Sequence, residues 1–380
     1  MADTVEPAKG PAGRTRWGGL VAIAIGLCVA AGAILGYVYF TNTAPTETEQ
    51  LAGLRMAIQN HGQYQRMSDR YRDGNDDLLA DPPTNLRNPD TLVFAEIATD
   101  DPDGDAKKWQ PFLDHLAAKT GKKVIFWRPP PPAPSPPSRD EVPTSPAPVA
   151  TKVAAGSIGT LAQMEALRDG KLHISAFGTG AVTAAVNSAG FIPLFCPAPA
   201  DGKFGYEMEF ITLASGPIQK PEDLKGKTIA LVSLTSNSGG RAGLVYLKET
   251  VKLVPLRDYQ FSYTGSHAAS IKAVATGQVD AACVANDLLQ SEIEKGTVKA
   301  EQIRTIYKSQ SFPPLCFGAA YDLDPALMAK IKDAFATFDG LPQIYRNAPR
   351  RARFAPVDYK KDWAFVREVD DKLKTIVELN

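Results

Sequence analysis

From residue 91 onward, short apolar runs rich in β-branched and aromatic residues alternate with longer segments of helical periodicity, and this alternation leaves few architectures open. Strands are expected over 91–97, 123–127, 172–177, 192–195, 208–214, 228–232, 259–263 and 281–285. Helices are expected over 109–119, 158–168, 181–188, 241–251 and 268–276, with Gly121 and Gly170 as stop signals. Repeated strand–helix units imply an α/β fold with mostly parallel sheets covered on both faces, closed by C-terminal helices over 325–338 and 361–377. A hydrophobic content of 44% against 22% charged residues supplies the material for such a core. The 42 basic and 42 acidic residues balance, which removes the electrostatic case for a nucleic-acid partner.

Other segments cannot join that core. Residues 18–40 carry no charge, and at about 1.5 Å per residue they are long enough to cross a hydrocarbon layer of about 30 Å. Trp17 at one end and Tyr37, Tyr39 and Phe40 at the other suit the interfaces, and Lys9, Arg14 and Arg16 precede the run. The expectation is a retained single-pass anchor with a cytoplasmic N-terminus and everything after Thr41 outside; a cleaved signal peptide is the competing reading. Residues 41–89 are polar and read as a spacer with a short helix over 51–67. Half of residues 129–148 are proline, which removes backbone donors and holds that stretch near polyproline II, as an inserted loop.

The strongest local signal follows the strand 228–232: Ser233-Leu-Thr-Ser-Asn-Ser-Gly-Gly, then a helix near Arg241. Hydroxyls and glycines before a helix N-terminus offer backbone N–H groups, side-chain donors and the positive end of the dipole to an anion. One of them would suffice as a cap, whereas Ser236, Asn237 and Ser238 together exceed what a cap needs. No Walker loop, GxSxG elbow, HExxH or CxxC is present, and the histidines have no metal-ligand spacing. Asp100-Asp-Pro-Asp-Gly-Asp echoes a calcium loop, but Phe112 stands where the closing glutamate belongs, so a solvated turn is expected. An enzyme, a resident metal and a cofactor are therefore not expected. Cys196, Cys283 and Cys316 leave an odd number beyond the apolar run, so at least one buried free thiol is expected unless chains pair.

Asp223-Leu-Lys-Gly-Lys-Thr-Ile-Ala, the Thr235-Ser-Asn-Ser-Gly loop, Tyr263-Thr-Gly-Ser-His-Ala-Ala-Ser-Ile and Gly277-Gln-Val-Asp-Ala-Ala-Cys-Val-Ala-Asn-Asp occur in that order. Together they resemble the phosphate/phosphite/phosphonate ABC-transporter substrate-binding family, over about residues 92–377. The resemblance implies a type II periplasmic-binding fold, two α/β lobes joined by two crossing strands, with an oxyanion in the cleft. It also implies ligand roles for Ser236, Asn237 and Ser238 in the anion loop, His267, the acidic Asp287, Thr179 in the first-lobe loop, and Tyr206. Asn237 replaces a more usual threonine, and Phe312-Pro-Pro-Leu-Cys-Phe-Gly lacks the second carboxylate of aminoalkylphosphonate binders. That departure points to phosphate, phosphite or a small phosphonate, with Asp287 accepting the hydrogen of a protonated oxyanion. From spacing alone Asp287 reads equally as a helix cap, and His267 as a structural residue.

The expected organisation is a cytoplasmic tail at 1–17, an anchor at 18–40, a spacer at 41–89, the first part of lobe 1 at 90–206, lobe 2 at 207–303, and the hinge return with the second part of lobe 1 at 304–380. The function implied is that of a membrane-tethered periplasmic protein that captures the oxyanion for an ABC permease. An oxyanion sensor signalling to a membrane kinase or receptor is the second reading, and a structural envelope protein the third.

Overall fold

The computed structural model describes residues 73–97, 102–128, 149–345 and 351–376. The expected anchor, the short helix over 51–67 and the proline-rich insertion lie outside the described residues. Among the described residues, no helix is long and apolar enough to cross a membrane.

In chain order the strands are β1 (Thr91–Ala95), β2 (Lys123–Phe126), β3 (Ile174–Phe177), β4 (Phe191–Ala198), β5 (Tyr206–Leu213), β6 (Thr228–Leu231), β7 (Gln260–Tyr263), β8 (Ala281–Ala285), β9 (Ile303–Phe312), β10 (Cys316–Ala320) and β11 (Arg353–Pro356). The α-helices are α1 (Pro102–Thr120), α2 (Val149–Arg168), α3 (Thr179–Ala189), α4 (Ala242–Tyr246), α5 (His267–Ala275), α6 (Asn286–Glu294), α7 (Pro325–Thr337), α8 (Leu341–Ile344), α9 (Tyr359–Asp362) and α10 (Ala364–Ile376). One sheet runs β11-β4-β10-β3-β1-β2 and the other β7-β6-β8-β5-β9. The chain crosses between them twice, after β4 and again between β9 and β10.

These crossings correct the expectation of mostly parallel sheets. β1 pairs in parallel with β2 and β3, and β6 with β7 and β8, as strand–helix–strand units produce. Each strand next to a crossing instead runs antiparallel to its neighbours: β10 against β3 and β4, β5 against β8 and β9. The described part of the Asp100–Asp105 stretch is a second correction, because Pro102 to Asp105 form the solvated first turn of α1 rather than a non-helical turn. Proline at the first helical position and Asp103 and Asp105 beside the positive dipole end favour that start.

Phe94 of β1, Trp109 and Phe112 of α1, Phe317 of β10, Phe335 of α7 and Phe354 of β11 form one buried aromatic cluster, with Phe335 centroids 4.7 Å from Phe112 and 4.8 Å from Phe354. Three sequence-distant segments therefore share the core of the first sheet. On one face of the second sheet Ile211, Ala230, Ala282 and Val284 pack against Ile271, Val274 and Leu289 of α5 and α6. The stretch from Asp73 lies against the first sheet: Arg87 pairs with Asp322 and donates to the carbonyl of Gly170, and Ala80 is buried. Cys196, Cys283 and Cys316 are all buried free thiols.

Candidate functional site

Parallel strands with helices after them place helix N-termini along one sheet edge, beyond the strand carboxyl ends. In the second sheet β6, β7 and β8 are neighbours, and the segments that follow them carry Ser236, His267 and Asp287. In the first sheet, Phe177 at the end of β3 leads directly through Gly178 into α3, whose first residue is Thr179.

After β6 the chain enters a helix at Asn237, earlier than the expected Arg241, through a π turn at Asn237–Arg241 that continues into α4. Ser236 is the cap: its Oγ accepts the N–H of Gly239 at 3.0 Å. Gly239 has no alternative here, because a Cβ on it would stand 2.4 Å from Val232 Cγ2. Asn237 and Ser238 are buried in the first turn, and Asn237 Nδ2 donates to the Tyr206 hydroxyl at 3.2 Å. The Thr179 and Ser238 hydroxyls lie beside that hydroxyl and, like Asn237, act to lower its pKa. Burial raises the Tyr206 pKa, and the charge of Asp287 raises it further, so the phenol stays protonated. Thr179, Tyr206, Asn237 and Ser238, drawn from both sheets, thus meet at one point.

The remaining three residues stand around it. Ser236, His267 and Asp287 are half-buried. His267 Nδ1 accepts the backbone N–H of Ala285 at 3.2 Å, and burial lowers its pKa to about 4. At neutral pH the ring is therefore uncharged with its proton on Nε2, a neutral donor. Asp287 lies in the first turn of α6, with Ala285 as the cap residue, and its Oδ1 accepts the N–H of Leu288 at 2.9 Å. Asn286 reaches away to β5, accepting the N–H of Glu207 at 3.0 Å. Thr179 gives its hydroxyl hydrogen to the carbonyl of Pro313 in the return crossing at 2.8 Å, and its own carbonyl accepts Trp363 Nε1 at 3.1 Å. In this conformation Thr179 positions the crossing segment rather than donating into the cluster.

Sequence reasoning treated Arg241 only as a helix start and passed over Gly180 and Asp370. Arg241 is 2% exposed; its guanidinium donates to the carbonyl of Gly180 and pairs with Asp370 of α10. Burial lowers its pKa to about 10, so it remains a cation, and the neighbouring Tyr206 acts the other way. The available signal was its position four residues after Asn237, at the expected start of a helix. Among the described residues, no cluster of three or more His, Cys, Asp or Glu side chains is arranged to hold a metal. A groove of about 390 Å³ lined by Leu79, Pro82, Tyr321 and Met328 includes none of these residues.

Comparison with known proteins gives an independent result. The family model of the periplasmic substrate-binding protein of phosphonate ABC transporters matches residues 153–363. The phosphate-import protein PhnD of Mycolicibacterium smegmatis is 26% identical over 259 residues, covering 65% of this chain and 72% of that protein. Among solved structures, PhnD1 from Prochlorococcus marinus in complex with methylphosphonate aligns with a TM-score of 0.56 at 16% identity, covering 75% of this chain and 99% of that one. A binding protein component of an ABC phosphonate transporter from Pseudomonas aeruginosa aligns with a TM-score of 0.54 at 18% identity, covering 76% and 97%. At these identities the two solved structures carry the fold alone.

Proposed function

Since this chain belongs to the periplasmic substrate-binding proteins of phosphonate ABC transporters and has their type II periplasmic-binding fold, we propose that it binds phosphate, phosphite or a small phosphonate between its two sheets for delivery to an ABC permease. As a member of that family it is a binding component and not an enzyme. The observation that supports the ligand reading is the meeting of Thr179, Tyr206, Asn237 and Ser238 at the N-termini of two helices from different sheets. Neutral donors at helix N-termini suit a tetrahedral oxyanion, and His267 Nε2–H adds one more. The names of the mycobacterial relative and the methylphosphonate complex agree with that class of ligand. Asp287 has the role of a discriminator: a carboxylate tolerates an oxyanion beside it only when a proton lies between them.

Contacts made by both sheets favour the closed arrangement, so the ligand shifts the population toward it. The uncharged residues 18–40 serve as a single-pass inner-membrane anchor, with the chain that follows in the periplasm. Calorimetry of the detergent-solubilised full chain against phosphate, phosphite, methylphosphonate and sulfate tests the ligand. Binding of the phosphorus oxyanions with sulfate excluded is expected; silence toward all three would refute the reading. Retention in membranes after alkaline washing tests the anchor, and a soluble product starting between residues 41 and 51 would replace it by a cleaved signal.

A further inference from the structure

The cluster contains one fixed positive charge, and that charge is already paired within the protein. Arg241 extends from the second sheet's helix to the first sheet's side, where it meets the carbonyl of Gly180 and the carboxylate of Asp370. The other Asp370 oxygen accepts the Thr183 hydroxyl at 2.5 Å. The two partners differ in access to water: the Arg241 side chain is 2% exposed and the Asp370 side chain 19%, although the Asp370 oxygen that faces the guanidinium is itself buried. A buried guanidinium that loses its carboxylate has no water to turn to and requires another anion, whereas Asp370 keeps Thr183 and can rehydrate. Two further buried atoms nearby in sequence have no protein partner: the donor Arg241 Nε and the acceptor Asn237 Oδ1. The unpartnered Nε is a donor still open to an oxyanion oxygen.

We propose that Arg241 is the cation of the oxyanion site and that Asp370 is an internal stand-in, a carboxylate that holds the place of the incoming oxyanion and is displaced by it. The inference rests on the oxyanion reading above. It assigns the contacts more narrowly: the charged oxygen of the phosphorus oxyanion takes the guanidinium, while its single O–H stays with Asp287. Carboxylate and phosphate engage the same guanidinium fork, which makes the exchange geometrically direct. Asp370 then lowers the affinity by competition, and it also ties α10 to the second sheet's helix until a ligand arrives.

The sign of one substitution tests this. Asp370→Asn keeps the size and the Thr183 contact but removes the competing charge, so inorganic phosphate should bind the full chain at least about fivefold more tightly, as expected when a charge-assisted bond is freed for the ligand. Arg241→Lys keeps the charge and loses the fork, and should weaken phosphate binding at least about tenfold. Thr183→Val, of similar shape, removes the hydroxyl that holds Asp370 and also reaches the Gly180 carbonyl that Arg241 uses; it should loosen the stand-in and tighten binding about twofold, and it supplies the answer if Asp370→Asn does not fold. A wild type that binds phosphate with Asp370→Asn and Thr183→Val unchanged or weaker makes the pair purely structural and overturns the inference alone. A silent wild type with a binding Asp370→Asn supports it. Silence of all variants toward every phosphorus oxyanion removes both the inference and the reading beneath it.

Discussion

Gly180 and Asn237 touch at the level of the backbone, although they open helices that belong to different sheets. A Cβ on Gly180 would stand 3.2 Å from the Asn237 amide nitrogen, 2.9 Å from the Thr235 carbonyl oxygen and 2.8 Å from Arg241 Nη1, so it would crowd the guanidinium as well. Gly180→Ala should therefore hold the two helix starts apart while leaving each sheet intact. Phosphate affinity is expected to fall about tenfold, in line with the ~1–3 kcal/mol of an overpacked contact. Calorimetry paired with a thermal melt checks it: an unchanged dissociation constant would mean that the close approach is not part of binding.

The anion loop separates into two roles. Ser236 Oγ accepts the Gly239 N–H, so Ser236→Ala should cost about 1 kcal/mol of stability as well as affinity. Ser238 is not the cap, and Ser238→Ala should reduce affinity with little change in melting temperature. Together the two should weaken phosphate binding at least about tenfold, each neutral donor contributing ~0.5–1.5 kcal/mol and more toward a charged ligand. Unaltered affinity in the folded double variant would leave the loop a mere helix start.

Two histidines set an acid limit on stability. His173 Nδ1 accepts the N–H of Val93 at 3.1 Å and His267 Nδ1 that of Ala285 at 3.2 Å, and protonation abolishes both bonds. Burial lowers both from the usual 6.5 to about 4, with Arg87 also lowering His173 and Asp322 opposing it. The unfolded chain takes up these protons near pH 6.5 and the folded chain only near 4. Within that window the unfolded state binds more protons, so stability declines as pH falls through it, and above it neither histidine contributes. Urea midpoints from pH 7 down to 4 should show this slope, and His267→Asn, which places an uncharged acceptor near Nδ1, should flatten part of it.

Asp287 sits in the first turn of α6 with its Oδ1 on Leu288, a contact that asparagine can reproduce. Asp287→Asn should gain sulfate binding relative to phosphate, because a repulsive acceptor becomes a donor. Asp287→Ser should weaken phosphate. Identical selectivity in both variants, with only the melting temperature moved, would make this carboxylate structural.

The strand–helix alternation was legible because each run is local: β8 falls where its apolar run ends against Asn286, and α7 begins at a proline after the capping Asp324. The start of α1 was missed because the apolar period begins only at Trp109, although Pro102 and the two aspartates already marked the first turn. The antiparallel pairings escaped for a different reason. They are set by where the chain crosses between sheets, and no window of residues around β5 or β10 encodes its neighbours. In the site, the resemblance supplied the donors, while Arg241 was hidden by its distance in sequence from Asp370 and Gly180, the groups that give it meaning.

The placement of β10 has a consequence for biosynthesis. It lies between β3 and β4, yet it is made only after all of β5 to β9. A chain that folds as it is made therefore carries two facing, unpaired strand edges from the time β4 emerges until Cys316–Ala320 follows. Those edges, flanked by Phe177, Phe191 and Phe195, are a template for wrong partners during that interval. Premature truncation anywhere in the second sheet would leave that gap permanently open, so insertion of β10 is the late step that closes the middle of the first sheet.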